Sequence, residues 1–585
     1  MSASPVADSG RDGVSWIKRA DAIVANPVVA YCAILALQLR LLWKVWDYKD
    51  LTSGDTAGYF LDAISWTHGL HDDIVWSPLY TNFLGSLDAL FGGDVYQAVL
   101  VHRIAIVLGA ALLVLALMRR LLGPAVGLLV TLWWVVSPQN FNPLYEVHLF
   151  GLLPLLVAAL VVARWRGRGG RGAALGILLA TTLVMRNETI IATLVFGAAI
   201  VVAEIREARG RRPSASASGF SIRPYLRSYG IPIALACLLA GTFYARSFTQ
   251  GNAVSQALRA KTGLNLCQSY AFNYQQRHPS KFTGNAFTEC QPLMRQVFGA
   301  AEPNFTEAAV NDPRAMAAYI AWNGRLLASG LQVALFDATA TGDQPDYPPV
   351  QTHRTYALIL SIAFLLLLAL GGWAIVRERR RSGPLTWVLI LLGALTVTTL
   401  AVVLTERPRP EYMYPMTIGI MALSGACLSA VLRRGGVSRF TAPVGIVLTA
   451  ILLAVVPPFY SKGPRPLRAA VGHLQIVRGI LHQPRSVLIA GSFNFELCSY
   501  LAETHKRHCS SPSWPGLAAG VARGEPIRQV LDRAKASVIY AEPVLLANPA
   551  VATLVGAPAR YGWRQLGAGS SDGQPWHILV RSAAR

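Results

Sequence analysis

Residues 50–78 read DLTSGDTAGYFLDAISWTHGLHDDIVWSP and hold five aspartates: Asp50, Asp55, Asp62, Asp72 and Asp73. They stand in a chain whose 53 Lys and Arg exceed its 31 Asp and Glu, for a net charge of +22. Asp55, Tyr59, Asp62 and Trp66 are spaced four, three and four apart, which places them on one helical face. A carboxylate within hydrogen-bond reach of an incoming hydroxyl can take its proton. The plainer reading of Asp55 is a helix N-cap, because SGD precedes TAGYFLDAISW. Asp62, Asp72 and Asp73 read equally well as solvated charge.

Three further stretches carry polar groups at the ends of apolar runs, the arginines among them suited to binding an anion. SPQNFNPLYEVHLFG offers Glu146 beside His148, RNETIIATLVFG offers Arg186, and ERPRPEYMYPM offers Arg407 and Arg409 with Tyr412 and Tyr414. His102 and Arg103 form a further pair. The planar guanidinium grips phosphate oxygens two at a time. The plainer reading of these arginines is snorkelling to lipid headgroups, and of Glu146 an interfacial ion pair.

The elements that position these groups are membrane helices. The 585-residue chain is 53% hydrophobic and 14% charged, with a mean hydropathy of +0.40, whereas soluble domains are about a quarter charged. ALILSIAFLLLLALGGWAIV (357–376) and WVLILLGALTVTTLAVVLT (387–405) are uncharged runs of membrane-crossing length. Unbroken apolar runs favour helices over a barrel. The expected fold is an all-α polytopic membrane bundle of about 11 spans with a small C-terminal extracytoplasmic α/β domain. The spans read as 27–46, 97–118, 122–137, 147–163, 172–186, 189–203, 229–246, 355–376, 385–405, 412–431 and 441–458.

The basic clusters fall between these runs: RR at 119–120, RWRGRGGR at 164–171, REARGRR at 206–212, RERRR at 377–381 and RR at 433–434. That is the positive-inside pattern, and it argues against a nucleic-acid partner. No hydrophobic core precedes Lys18 and Arg19, so no cleavable signal is read and 1–26 is expected to be a cytoplasmic tail. Residues 27–459 form the transmembrane domain, with outer loops 47–96 and 247–354. Residues 460–585 form the outer domain, where RSVLIAG, ASVIYAEP and WHILVR read as strands. GSFN, after the first strand, matches no nucleotide-binding fingerprint.

Of seven cysteines, Cys267, Cys290, Cys498 and Cys509 fall in the two outer regions, two in each. An oxidising compartment permits Cys267–Cys290 and Cys498–Cys509 as disulfides. Cys498 and Cys509 with His505 and His508 are also a conceivable zinc set.

SGDTAGYFLDAISWTHG after the first span, followed by WSPLYTNFLGSL and HRIAIVLGAALLVLALMRRLLG, resembles the GT-C superfamily of integral-membrane glycosyltransferases, in its ArnT-like and protein-mannosyltransferase-like branch. RNETIIATLVFG and ERPRPEYMYPMTIGIMALSGA resemble that family's later loop elements. The likeness covers about 27–460 and is strongest over 47–200. It implies a polyprenyl-phosphate-linked sugar donor and a glycan, lipid or protein acceptor. Transfer would occur outside the cytoplasmic (inner) membrane, by an inverting displacement. Asp55 matches the family's acidic position as the catalytic base, with Asp62 in reserve and Glu146 as a second acidic site residue that would position acceptor or sugar or help hold a metal. Arg407, Arg409, Arg186 and Arg103 would hold the donor phosphate, and Tyr59, Tyr412, Tyr414 and His148 would contact substrate. No DxD motif is present, so no obligatory metal is expected, although a divalent cation is possible in such enzymes. A lipid-linked saccharide transporter would carry mid-span polar residues and repeats, which are not seen. A polysaccharide polymerase or ligase would move the weight to arginines of the 247–354 loop.

Overall fold

The computed structural model describes residues 9–47, 58–63 (without 61), 76–92, 95–140, 146–210 (without 166), 222–249, 254–343 (without 288), 352–378, 383–458, 466–491 (without 482 and 484), 497, 498, 501 and 509–582 (without 511, 513 and 572). Asp55, Trp66, His505 and His508 lie outside these residues.

Each of the eleven apolar segments contains a helix, and among the described residues eight helices are long and apolar enough to cross a membrane. They are Gln97–Leu122, Glu146–Arg164, Asn187–Arg209, Arg223–Ala245, Arg354–Ala374, Thr386–Thr405, Pro410–Arg434 and Ser438–Val455. The difference from eleven is one of length. Pro124–Val136 has 13 residues and Arg168–Val184 has 17, about 20 and 26 Å at 1.5 Å per residue against a core of about 30 Å. The third shortfall is the first span. Pro27–Leu41 meets Trp16–Ala25 at a bend of 74°, because Pro27 lacks the N–H that would continue the helix. The Asn26 side chain then accepts from Val28 N at 2.9 Å and starts the new helix. The sequence alone suggests a tail over 1–26; from Ser9 the chain is helical, with an amphipathic pattern of the kind that suits a membrane surface.

Between helices the contacts rely on small residues, as in lipid there is no hydrophobic drive for association. A Cβ on Gly371 would meet Cys427 Cβ at 2.1 Å, so the Arg354–Glu378 and Tyr414–Arg434 helices touch backbone to backbone there. At the basic end, Arg168 and Arg171 pair with Glu204 and Glu207, and the Tyr229 hydroxyl donates to Glu204 at 2.8 Å. This network ties three helices where the positive-inside pattern places their ends.

Residues 254–336 form a helical segment of their own: Val254–Arg277, Cys290–Phe298, Phe305–Asn311 and Pro313–Phe336. Its core is Cys267, Tyr270, Met294, Phe298 and Tyr319. A disulfide joins Cys267 to Cys290, with Cα atoms 5.5 Å apart. Cys498 is disulfide-bonded as well, whereas Cys32, Cys237 and Cys427 are free.

The C-terminal sheet has the order β2-β1-β3-β5-β4, with β1 Ser486–Ala490, β2 Cys509–Ser510, β3 Val538–Ala541, β4 Trp563–Ser571 and β5 Gln574–Arg581. β1 runs parallel to β2 and β3, and β5 runs antiparallel to β3 and β4. The apolar β1 and β3 are buried along their whole length, as parallel strands covered on both faces are. The chain divides into two compact units, one of residues 1–41 and 105–457, the other of 42–104 and 458–585.

Candidate anion-binding site

In the first unit, the Gly383–Thr405 helix packs against both Glu146–Arg164 and Ile190–Gly210. The start of the first of these partners, the turn before the second and the chain leaving residue 405 enclose a cavity of about 50 Å³. That is room for roughly three or four waters. Its polar lining is His148, Arg186, Glu188, Glu411 and Tyr412, with Thr189, Thr398 and Thr399.

Local sequence explains the convergence. Met185 ends the Arg168–Val184 helix and the Asn187–Thr189 turn comes at once, so Arg186 stands at the boundary. Pro408 and Pro410 stop the preceding helix and pre-set the extended Arg409 and the 3-10 turn Pro410–Met413. Arg407, Arg409 and Tyr412 are thereby fixed relative to one another.

The groups are linked. Arg186 Nε donates to Glu188 Oε1 at 2.6 Å, and its Nη1 lies 3.4 Å from His148 Nε2. The His148 and Tyr412 rings are 4.6 Å apart. Arg409 is ion-paired with Glu411, both nearly buried, and its guanidinium lies 5.4 Å from the centre of the Tyr412 ring. Arg186, Arg409 and Lys261 all act on His148 electrostatically. Arg407 sits 4.5 Å over the Phe272 ring and 5.5 Å from that of Phe287. Glu406 accepts from Asn265 Nδ2 at 3.5 Å.

The structure thus brings Arg186, His148 and Tyr412 together at one cavity, with Arg409 outside its lining but ion-paired to the lining Glu411, and Arg407 on the same stretch of chain. Tyr414 is not in that lining; its ring packs 5.9 Å from Trp134 in the bundle core. Glu146 is 1% exposed at the first turn of its helix and also stands outside the lining. In the second unit, Tyr59 and Tyr80 have rings 5.3 Å apart, and Tyr80 lies 5.4 Å from His102. His102 and Arg103 are buried there, and Asp62 is half-buried. Among the described residues no group of three or more His, Cys, Asp or Glu could hold a metal ion.

Sequence reasoning passes over Lys261, Glu188, Glu406 and Glu411. Glu188 and Glu411 each lie two residues from a chosen arginine, and that spacing is the available signal. Lys261, about 150 residues from Arg409, gives none. Glu406 lies between two spans, where burial, then the nearby Glu188, raise its pKa above the ordinary carboxylate range. Its neutral form is therefore favoured by the fold, and that contribution is lost as pH rises through the raised value. We expect the Tm difference between the native protein and Glu406→Gln to change across a window starting above about pH 4.3. The native protein should lose stability relative to the variant as pH increases. A pH-independent difference would show that Glu406 is already charged throughout.

A polytopic helical membrane protein with a cluster of cations, a histidine and a tyrosine at one end of its spans is the class that fold and site define. No protein family and no curated protein matches the chain. Among solved structures it is similar to the oligosaccharyltransferase AglB of Archaeoglobus fulgidus in complex with an inhibitory peptide and a dolichol-phosphate (11% identity, TM-score 0.42, covering 98% of this chain and 75% of that one). Another structure of that archaeal enzyme, with zinc and sulfate, gives 10% identity and TM-score 0.42 over 88% of this chain and 67% of that one. ArnT of Cupriavidus metallidurans bound to undecaprenyl phosphate gives 12% identity and TM-score 0.33 over 95% and 98%. Likenesses of this size record what the chain is similar to and carry nothing about its residues.

Proposed function

We propose that the protein is a membrane glycosyltransferase that moves a sugar from a polyprenyl-phosphate donor to an acceptor hydroxyl at the outer face of the cytoplasmic membrane. The observation that carries this reading is the convergence of Arg186, His148 and Tyr412 on one cavity at the ends of apolar helices, with Arg409 ion-paired to Glu411 of its lining and Lys261 acting electrostatically on His148. A charged group in that position is costly unless it has a task or a partner. A lipid-borne phosphate is the anion whose tail the bilayer accommodates while its head meets guanidiniums. Phosphate needs no protonation to leave, only cations that take up its charge. The acceptor proton needs a base, and Asp55, which resembles the family's acidic position, is assigned to it, with the configuration at the anomeric carbon inverted. Arg407 and Arg103 belong to the same phosphate-binding assignment, Tyr59 and Tyr412 to substrate contact.

The test is a reconstitution. Purified protein in liposomes is given polyprenyl-phosphate sugars and an envelope extract, and released polyprenyl phosphate is measured by mass spectrometry. Release that depends on both donor and extract supports the reading. Movement of intact donor across the bilayer without release would make the protein a transporter.

A further inference from the structure

The last carbonyls of a helix have no partner inside it. At the end of the Gly383–Thr405 helix they are taken by side chains from a distant part of the chain. Tyr319 Oη donates to Thr405 O at 2.7 Å and Glu406 O at 2.8 Å. Asn323 Nδ2 donates to Leu404 O at 3.0 Å and Glu406 O at 2.9 Å. Tyr319 and Asn323 lie one turn apart on Pro313–Phe336, and both are 0% exposed. Asn273, 1% exposed on Val254–Arg277, donates its Nδ2 to Asn323 Oδ1 at 3.0 Å, which fixes which way the Asn323 amide faces. Three polar side chains are thus buried in this segment, two directed at one three-residue stretch of backbone and the third holding Asn323 in place.

That stretch leads directly into Arg407 and Arg409, and the same segment grips the residues beyond Glu406. Phe272 and Phe287, whose rings flank Arg407, both lie inside the loop closed by Cys267–Cys290. Pro408 O lies 2.4 Å from where a Cβ on Gly330 would stand, so the helix bearing Tyr319 lies against residues 404–408 along three turns. None of Tyr319, Asn323, Phe272 or Phe287 lines the cavity.

We propose that Tyr319 and Asn323, with the Phe272–Phe287 clamp, are positioning residues that set where Arg407 and Arg409 stand, so that the 254–336 segment is half of the phosphate-binding apparatus. This rests on the phosphate-binding assignment made above. A buried hydroxyl or amide costs free energy unless bonded, so such residues persist where the backbone they hold must be held in one place. Each hydrogen bond is worth a few-fold, and loss of two should weaken anion binding by about tenfold.

The experiment measures binding of undecaprenyl phosphate, with no sugar attached, to the full-length protein in nanodiscs. Tyr319→Phe keeps the ring and removes both bonds; we expect binding about tenfold weaker. In an Arg407→Ala, Arg409→Ala background the same change should have almost no further effect, because Tyr319 acts through those side chains. A purely structural Tyr319 would lower Tm equally in both backgrounds and leave binding unchanged, which overturns the proposal. Phe287→Leu, at a partly exposed ring, gives the second reading: weaker binding at unchanged Tm is expected, and unchanged binding counts against the clamp. If the double arginine variant itself binds undecaprenyl phosphate normally, the functional reading fails instead, and the two failures are distinct.

Discussion

Arg409→Leu should lower sugar transfer from a polyprenyl-phosphate donor by about 10²–10³-fold, the usual loss when a preorganised charge that meets the developing anion is removed. The effect has two parts. The variant removes a cation paired to the cavity's lining, and it leaves Glu411 there without Arg409; the paired side chains are only 5% and 7% exposed. Breaking a buried pair costs about 3–5 kcal/mol, whereas replacing both partners with apolar groups is often neutral. Arg409→Leu alone should therefore lower Tm, and Arg409→Leu with Glu411→Leu should restore it. Transfer should stay low in both. Recovery of transfer along with Tm in the double variant would show that Arg409 matters only as a counter-ion. Arg409→Lys is expected to keep stability and recover part of the rate, because an ammonium supplies charge without the fork.

Asp55→Asn should be as damaging, with kcat falling about 10²–10⁴-fold while donor binding is kept. The substitution discriminates between the two readings of this residue. Asn is as good an N-cap as Asp, so an Asp55 that only starts a helix would tolerate the change in stability and in turnover alike. A base would not, because the amide cannot accept the acceptor's proton. Asp62→Asn serves as the comparison and should cost far less. Asp55 lies outside the described residues, so this test rests on the sequence alone. Equal turnover of Asp55→Asn and the native protein would remove the base from the mechanism.

Much of the architecture was legible because the membrane imposes it locally. A run of twenty apolar residues has few options in lipid besides a helix, and each such run from 97 to 458 contains one. The alternation of basic clusters with those runs is equally a property of neighbouring residues. The strands at 486–490, 538–541 and 574–581 stood out because their apolar residues are contiguous and bounded by turn signals. Lengths were less legible: whether a 13-residue apolar helix such as Pro124–Val136 is a full span depends on what packs around it.

The chain's order of residues by itself determined the membrane class, the helices, the positions of Arg186, Arg407 and Arg409 at helix ends, and the presence of paired cysteines in the large loop. Only the tertiary structure decided that Arg186, His148 and Tyr412 share one cavity, that Arg409 and Lys261 act on His148 there, that Tyr414 turns to Trp134 instead, and that Tyr319 and Asn323 hold the chain between the two spans. The physical reason is range. Hydrophobicity and helix termination act over a few residues, so composition and spacing report them. The capping of one helix's carbonyls by another's side chains joins positions separated by 80 residues or more, and packing alone brings those together.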